Sequence, residues 1–137
     1  MRISSVLLYQ LLTGVTAVVC IVFGVVFICA FLDRAVFEVF TRPLFDTDIN
    51  GYFAIGFAGC VLLAWAGCLI ASARTPDALP GVATATATAL IVIALMRLLA
   101  WYSGEFWAIR DELRFEAATL ALVALGFIWL KPDRPTA

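Results

Sequence analysis

The sequence predicts an all-α integral membrane protein, folded as an up-down bundle of four transmembrane helices. Of its 137 residues, 64% are hydrophobic and only 14% are charged, and the mean hydropathy is +1.06. Soluble domains carry about a quarter charged residues, and so small a soluble fold could not bury this much apolar surface. Four long apolar segments follow one another through short connections, which favours antiparallel neighbours in a single transmembrane domain, 1–137.

The first two spans are predicted from length and composition. A transmembrane helix needs about 20 predominantly apolar residues. Residues 4–32 and 49–73 meet this requirement without a single charged side chain. The first segment is also longer than the apolar region of a cleavable signal peptide, which is typically about 7–15 residues. We therefore expect it to remain as a span.

The third and fourth spans carry charges. The third, 81–103, contains Arg97, and the fourth, 112–130, contains Glu116 near its beginning. The uncharged remainder of the fourth span, 117–130, is shorter than the roughly 20 residues that a crossing needs. Glu116 is therefore expected to lie within the membrane boundary.

The connection 33–48 is predicted to form a short amphipathic helix in the membrane interface. Apolar residues recur there at helical spacing, opposite charged ones, which is typical of interfacial helices. The apolar residues are Val36, Phe37, Phe40, Leu44 and Phe45, and the charged ones are Asp33, Arg34, Glu38 and Arg42. A solvated loop with incidental aromatic residues is the alternative.

The distribution of charge gives an orientation. Four basic residues lie on each predicted side of the membrane, so the positive-inside count is a tie. Eight of the acidic residues lie on the side of the first and third connections. We therefore expect both termini to be cytoplasmic.

Small residues are predicted to form the packing faces, because in lipid they allow helices to approach closely. The second span carries such residues at a four-residue interval, and the third begins with an alternation of alanine and threonine. The predicted packing residues are Gly56, Cys60, Ala64, Cys68, Ser72, Ala83 and Ala87. They suit either the inner seam of one bundle or a contact with a second copy or a partner subunit.

Arg97 and Glu116 are the centre of the candidate site. Arg97 lies about six residues before the end of its span, or roughly 9 Å deep at 1.5 Å per residue. An unpaired arginine in lipid is costly, so it snorkels, faces a wet cavity or pairs with an acid. Glu116 lies at a similar depth in the adjoining antiparallel helix, and the pair either fixes helix register or binds a polar or anionic headgroup. The other candidate binding residues are Glu112, Glu105, Trp101, Tyr102 and Trp107, of which the aromatic ones also suit the interfacial belt.

Composition excludes several classes of function. The net charge of −1 lacks the basic patch that nucleic acid needs. The chain has no histidine, which excludes histidine-held haem and histidine-ligated zinc. We expect no metal and no cofactor. The four cysteines lie in apolar runs without a C-x-x-C pair and are predicted to be small buried packing residues.

A pattern from Met96 through Gly104, followed by Glu112 and Glu116, resembles one in small bacterial membrane proteins of the DoxX-like group. Those proteins have four helices, about this length, an arginine late in helix three and an acid that opens helix four. The resemblance implies a compact four-helix bundle in the bacterial cytoplasmic (inner) membrane.

Three functions are expected from these features. The first is a non-enzymatic accessory or assembly subunit of a larger membrane complex, which contacts the lipid bilayer and either a partner protein or further copies of the chain. The second is a small lipid- or ligand-binding protein or transporter that uses Arg97 and Glu116. The third is an enzyme acting on a lipid or isoprenoid, with acid–base work by Glu105, Glu112 or Glu116. The chain shows no nucleophile–base pair, which favours the non-enzymatic functions.

Overall fold

The described part of the chain is helical and has four long helices. The computed structural model describes residues 2–37, 44–76, 78–103 and 110–131. Its helices are α1 (Arg2–Leu32), α2 (Ile49–Arg74), α3 (Pro80–Ser103) and α4 (Arg110–Leu130), and a π-helical turn, Asp33–Phe37, follows α1. Each predicted span coincides with one of these helices to within a few residues, so the all-α prediction is confirmed.

All four helices are long and apolar enough to cross a membrane. The shortest, α4, has 21 residues, which at 1.5 Å per residue span about 31 Å, close to the roughly 30 Å of a bilayer core. Large apolar side chains lie exposed along every helix, and Leu7, Phe57, Leu99 and Leu122 are 65%, 65%, 67% and 68% exposed. Such side chains suit lipid as solvent. These features are those of a multi-pass membrane protein.

In the described part of the connection between α1 and α2, residues 44–48 do not form the predicted helix. The first residues of the connection, Asp33–Phe37, continue α1 as a π-helical turn, residues 38–43 lie outside the described part, and residues 44–48 are not helical. The reason lies in the hydroxyl of Tyr52, which donates to the Phe45 carbonyl at 2.8 Å and accepts from the Phe45 N–H at 3.0 Å. Both backbone groups of Phe45 are thereby withdrawn from helix formation.

Asp48 begins α2. Its carboxylate accepts from the Gly51 N–H at 2.8 Å, and its carbonyl accepts from the Tyr52 N–H at 3.0 Å. This is the geometry of a helix N-cap, in which the capping residue itself is non-helical. The cap fixes the start of α2 at Ile49, where the sequence predicts it.

The chain divides into two compact units, Thr13–Ala71 and the combination of Met1–Leu12 with Ser72–Ala137. We call the first the hairpin unit and the second the split unit. In the hairpin unit α1 and α2 run antiparallel and touch through two glycines. A Cβ added at Gly59 would lie 2.7 Å from the Gly24 carbonyl oxygen, and one added at Gly24 would lie 3.0 Å from the Gly59 oxygen. No larger residue fits at this crossing without a shift of the backbone.

In the split unit the beginning of α1 contacts the end of α2 and the second half of α4. The Tyr9 hydroxyl and Ser72 Oγ share a hydrogen bond of 2.7 Å, and both residues are fully buried. The Tyr9 ring also meets Phe127 edge to face, with centroids 6.3 Å apart. Helices α3 and α4 pack antiparallel in this unit.

The buried face of α2 does not follow the predicted four-residue stripe. Gly56 and Ser72 are buried, whereas Cys60, Ala64 and Cys68 are exposed. Residues four apart in an α-helix are rotated by about 40°, so over four such steps the stripe turns by roughly 160° around the axis. Gly56 contacts Phe31 of α1. Beyond Gly56 the stripe turns away from the face of α2 that packs against α1.

The remaining packing residues and cysteines divide between buried and exposed positions. Ala83 and Ala87 of α3 are buried, as expected. All four cysteines are unpaired; Cys20 is half-buried and Cys29 is exposed, like Cys60 and Cys68. The prediction that the cysteines are buried packing residues is therefore wrong for these three.

Candidate functional site

Arg97 of α3 and Glu116 of α4 form an ion pair between Nη1 and Oε2. The pairing that the sequence predicts from their similar depths is thus confirmed. The side chains are 39% and 49% exposed, respectively. The pair therefore lies at the surface of the α3–α4 packing and is open to its surroundings.

The pair lines a groove of about 330 Å³. Its other walls come from α4, where Phe115, Thr119 and Leu120 follow the turn of the helix. The hydroxyl of Thr119 donates to the Phe115 carbonyl of its own helix at 2.8 Å. The groove is accordingly apolar apart from one guanidinium and one carboxylate.

Arg97 has one unsatisfied donor. Its Nε is buried, and within the described residues no acceptor takes a hydrogen bond from it. Buried polar atoms without a partner are uncommon in folded proteins, and each calls for a physical explanation. Because this atom is buried, a ligand in the groove would contact the exposed part of the Arg97 side chain and not Nε.

Two further predicted residues lie on the same helices as the pair. The Trp101 ring lies beneath the guanidinium of Arg114, whose Cζ is 5.7 Å from the ring centroid. Tyr102 is exposed. This cation–π contact joins the end of α3 to the beginning of α4, beside the ion pair and outside the groove lining.

Comparison with family models, with curated proteins and with solved structures finds no match for this chain. The chemistry of the site is therefore inferred from its own residues. Two opposite charges at the rim of an apolar groove suit a polar or zwitterionic group attached to an apolar body. Acid–base catalysis by two carboxylates would need both at one place. In the described part of the chain Glu116 is the one carboxylate that lines the groove.

Of the other predicted site residues, the described ones do not line the groove. Glu112 is exposed one turn before Glu116 and does not line it. Glu105 and Trp107 lie outside the described residues. In the part of the chain that the structure describes, no group of three or more His, Cys, Asp or Glu side chains is placed to hold a metal ion.

Several lining residues escape prediction from the sequence. Phe115, Thr119 and Leu120 belong to an apolar helix and carry no individual signal. Thr119 and Leu120 lie three and four residues after Glu116, and residues at these spacings share a helix face; Phe115, next to Glu116, has no such indication. In the sequence, Arg114 is one of several basic residues near the ends of the predicted spans. No sequence pattern indicates its contact with Trp101.

A second candidate surface lies on α2 in the hairpin unit. Between Cys60 and Ala71 one face of this helix carries small exposed side chains. We call it the α2 small-residue face; its members are Cys60, Ala64, Gly67, Cys68 and Ala71. A Cβ added at Gly67 would meet no atom within 4 Å, so the surface there is open.

Proposed function

We propose that the chain is a non-enzymatic accessory or assembly subunit, which binds a transmembrane helix of a partner protein on the α2 small-residue face. The observation that carries this proposal is the exposure of five small side chains on one side of a helix. In lipid, helices associate through van der Waals packing of such small residues, and a large lipid-facing side chain would prevent the close approach.

The surroundings of the face support a helical occupant. Phe53 and Phe57 precede it on the same side of α2, and both are 65% exposed. The small residues leave a shallow groove on α2 beside these two aromatic rings. A ridge of side chains on a second helix can pack into such a groove. The adjoining side of α2 is occupied by α1, through Gly59 and Gly56.

Native cysteines provide the test. In native membranes, a thiol-specific bifunctional cross-linker should join Cys60 or Cys68 to a partner of different mass. The adduct should vanish in the Cys60→Ser/Cys68→Ser variant and persist in Cys29→Ser, since Cys29 lies on α1 away from the face. An adduct of twice the chain's own mass would show that the face binds a second copy of this chain and not a different subunit.

A substitution at Gly67 gives a second measurement. Gly67→Trp should abolish co-purification of the partner in mild detergent while Gly67→Ala leaves it intact, because only the larger side chain fills the face. Recovery of the wild-type protein as a lone monomer from mild detergent, without any adduct, would refute the accessory role.

The location that goes with this role is the cytoplasmic membrane of a bacterium. We infer an up-down arrangement of the four helices, with both termini in the cytoplasm and the connection 33–48 at the opposite interface. Short connections and the side of the acidic residues support this arrangement.

A second candidate function is favoured by the groove at Arg97 and Glu116: binding of a lipid headgroup or another small polar ligand. The partly exposed ion pair at the rim of the apolar groove supports it. Native mass spectrometry of Arg97→Leu should show loss of a co-purified lipid or ligand, with Arg114→Leu as the matched control. Equal retention in wild type and Arg97→Leu would make the pair purely structural.

A further inference from the structure

A second groove lies between α3 and α4, at the opposite end of these helices from Arg97. Its volume is about 190 Å³. The lining residues are Thr84, Ala87, Thr88, Ile91, Phe127, Ile128 and Lys131. None of them belongs to the groove at Arg97 or to the α2 small-residue face.

The shape of this groove is set by small residues on one face of α3. Positions 84, 87, 88 and 91 follow the three- and four-residue spacing of a helix face, and the first three carry small side chains. From Thr84 to Ile91 the trough runs about 10 Å along the helix. Phe127 forms a buried wall, whereas Ile91 and Ile128 are exposed at its sides.

Both threonine hydroxyls of the groove already take part in a hydrogen bond. The Thr88 hydroxyl donates to the Thr84 carbonyl at 2.9 Å, within the same helix. The Thr84 hydroxyl oxygen accepts from Lys131 Nζ at 2.9 Å. The trough below Lys131 therefore presents carbon and methyl groups, which suit an acyl chain.

Lys131 sets a positive charge at one end of the trough. It directly follows the end of α4 at Leu130, and its bond to Thr84 holds the ammonium beside the beginning of α3. An ammonium has three donors, of which Thr84 takes one. Among residues 2–37, 44–76, 78–103 and 110–131, no carboxylate forms an ion pair with it.

We propose that this groove binds one anionic phospholipid, with a phosphate oxygen at Lys131 Nζ and the upper part of one acyl chain along the trough. Charge complementarity selects this occupant, because a membrane anion with an apolar tail matches both the free donors and the apolar trough. Basic pockets between transmembrane helices bind lipid headgroups in this way. The site is independent of the accessory role and of the ligand proposed for Arg97.

Lipid selectivity tests the charge. Full-length protein in detergent is titrated with phosphatidylglycerol or phosphatidylcholine of identical acyl chains, and bound lipid is counted by native mass spectrometry. Wild type should prefer phosphatidylglycerol about fivefold, as expected for one lysine at a membrane surface. Lys131→Gln should abolish the preference, whereas Arg74→Gln, an exposed basic residue outside the groove, should keep it.

A bulky substitution tests the trough. Thr88→Phe fills the groove from an exposed position, and Ala89→Phe adds the same ring to a neighbouring exposed position outside the lining. Thr88→Phe should reduce binding of both lipids severalfold, and Ala89→Phe should not. Thermal unfolding of both variants without added lipid checks that they are folded.

Three outcomes would overturn the proposal. A phosphatidylglycerol preference that survives Lys131→Gln would remove the role of the charge. Identical lipid counts in the Thr88→Phe and Ala89→Phe variants would show general coating of the surface by lipid. Inorganic phosphate that protects the protein from unfolding as well as phosphatidylglycerol does would identify a soluble anion in place of a lipid.

Discussion

At the scale of single residues, the Arg97–Glu116 pair has a cost and a benefit. Each charge alone at a membrane boundary is unfavourable, and each removes most of that penalty for the other. Because both side chains are partly exposed, solvent screens their attraction. The energy of the pair is therefore expected to lie below the roughly 3–5 kcal/mol that breaking a buried pair costs.

A double-mutant cycle measures this energy. Arg97→Leu and Glu116→Leu should each destabilise the protein in mixed detergent micelles, and the double variant should be less destabilised than the sum by on the order of 1 kcal/mol. Lys131→Leu with Glu116→Leu serves as control. Those residues are roughly 22 Å apart along α4, so their effects should add. Additivity for the Arg97 cycle would contradict any mutual stabilisation.

The hydrogen bond between Tyr9 and Ser72 gives a second prediction at this scale. Tyr9→Phe leaves the fully buried Ser72 hydroxyl without this partner. We expect a loss of about 0.6–1.7 kcal/mol, the range found for hydrogen bonds between transmembrane helices. Thr119→Val, which removes an exposed bond within one helix, should change the unfolding free energy less. A Tyr9→Phe/Ser72→Ala variant much less stable than Tyr9→Phe alone would show that Ser72 stabilises the protein mainly through contacts other than this bond.

The sequence predicts residue contacts unevenly. The Arg97–Glu116 pair is predictable because a charge within the membrane boundary is costly unless it finds a partner at its own depth. The Lys131–Thr84 bond is not, since alternating threonines surround the beginning of α3 and nothing in the sequence distinguishes Thr84 from Thr86 or Thr88. In this protein, a polar contact is predictable from the sequence when leaving its groups unpaired would cost much free energy.

At the scale of elements, the crossing of α1 and α2 depends on two glycines. A Cβ at Gly59 would meet a backbone oxygen at 2.7 Å and Ile28 Cγ1 at 2.9 Å. The backbone can yield only if a whole helix shifts, and overpacking of this kind typically costs about 1–3 kcal/mol.

Gly59→Ala should therefore lower the unfolding free energy by about 1–3 kcal/mol, measured by reversible unfolding in mixed micelles. Gly67→Ala is the matched control on the same helix, because its Cβ meets open space. It should be neutral or stabilise the protein by about 0.5–1 kcal/mol through its higher helix propensity. Equal effects of the two substitutions would mean that the crossing tolerates a wider separation.

Helix boundaries were predictable, whereas helix faces were not. Uncharged runs and the charged residues at their ends define where α1 to α4 begin and end, since charged side chains are costly inside lipid. The face of α2 depends on which of several small residues meets α1, and a strict four-residue count drifts away from the contact. Gly59 lies outside that count, although a glycine in the middle of a span is a signal of close approach.

At the scale of the whole molecule, the proposed up-down arrangement predicts that both termini lie on one side of the membrane. A reporter that becomes fluorescent only in the cytoplasm should be active when fused to the C-terminus. A periplasm-specific reporter should be active when inserted within residues 104–109, between α3 and α4. The reverse pattern would invert the proposed orientation, and activity of one reporter type at both positions would contradict an odd number of crossings between them.

The split unit also imposes an order on biosynthesis. Tyr9 leaves the ribosome long before Phe127, the residue that its ring meets. The hairpin unit ends at Ala71, so all its residues are present while α3 is still being translated. The N-terminal end of α1 must wait in the membrane, with its tyrosine lacking Phe127, until α4 has been inserted. During that interval the Tyr9 side chain, which is fully buried in the finished protein, lacks one of the residues that cover it.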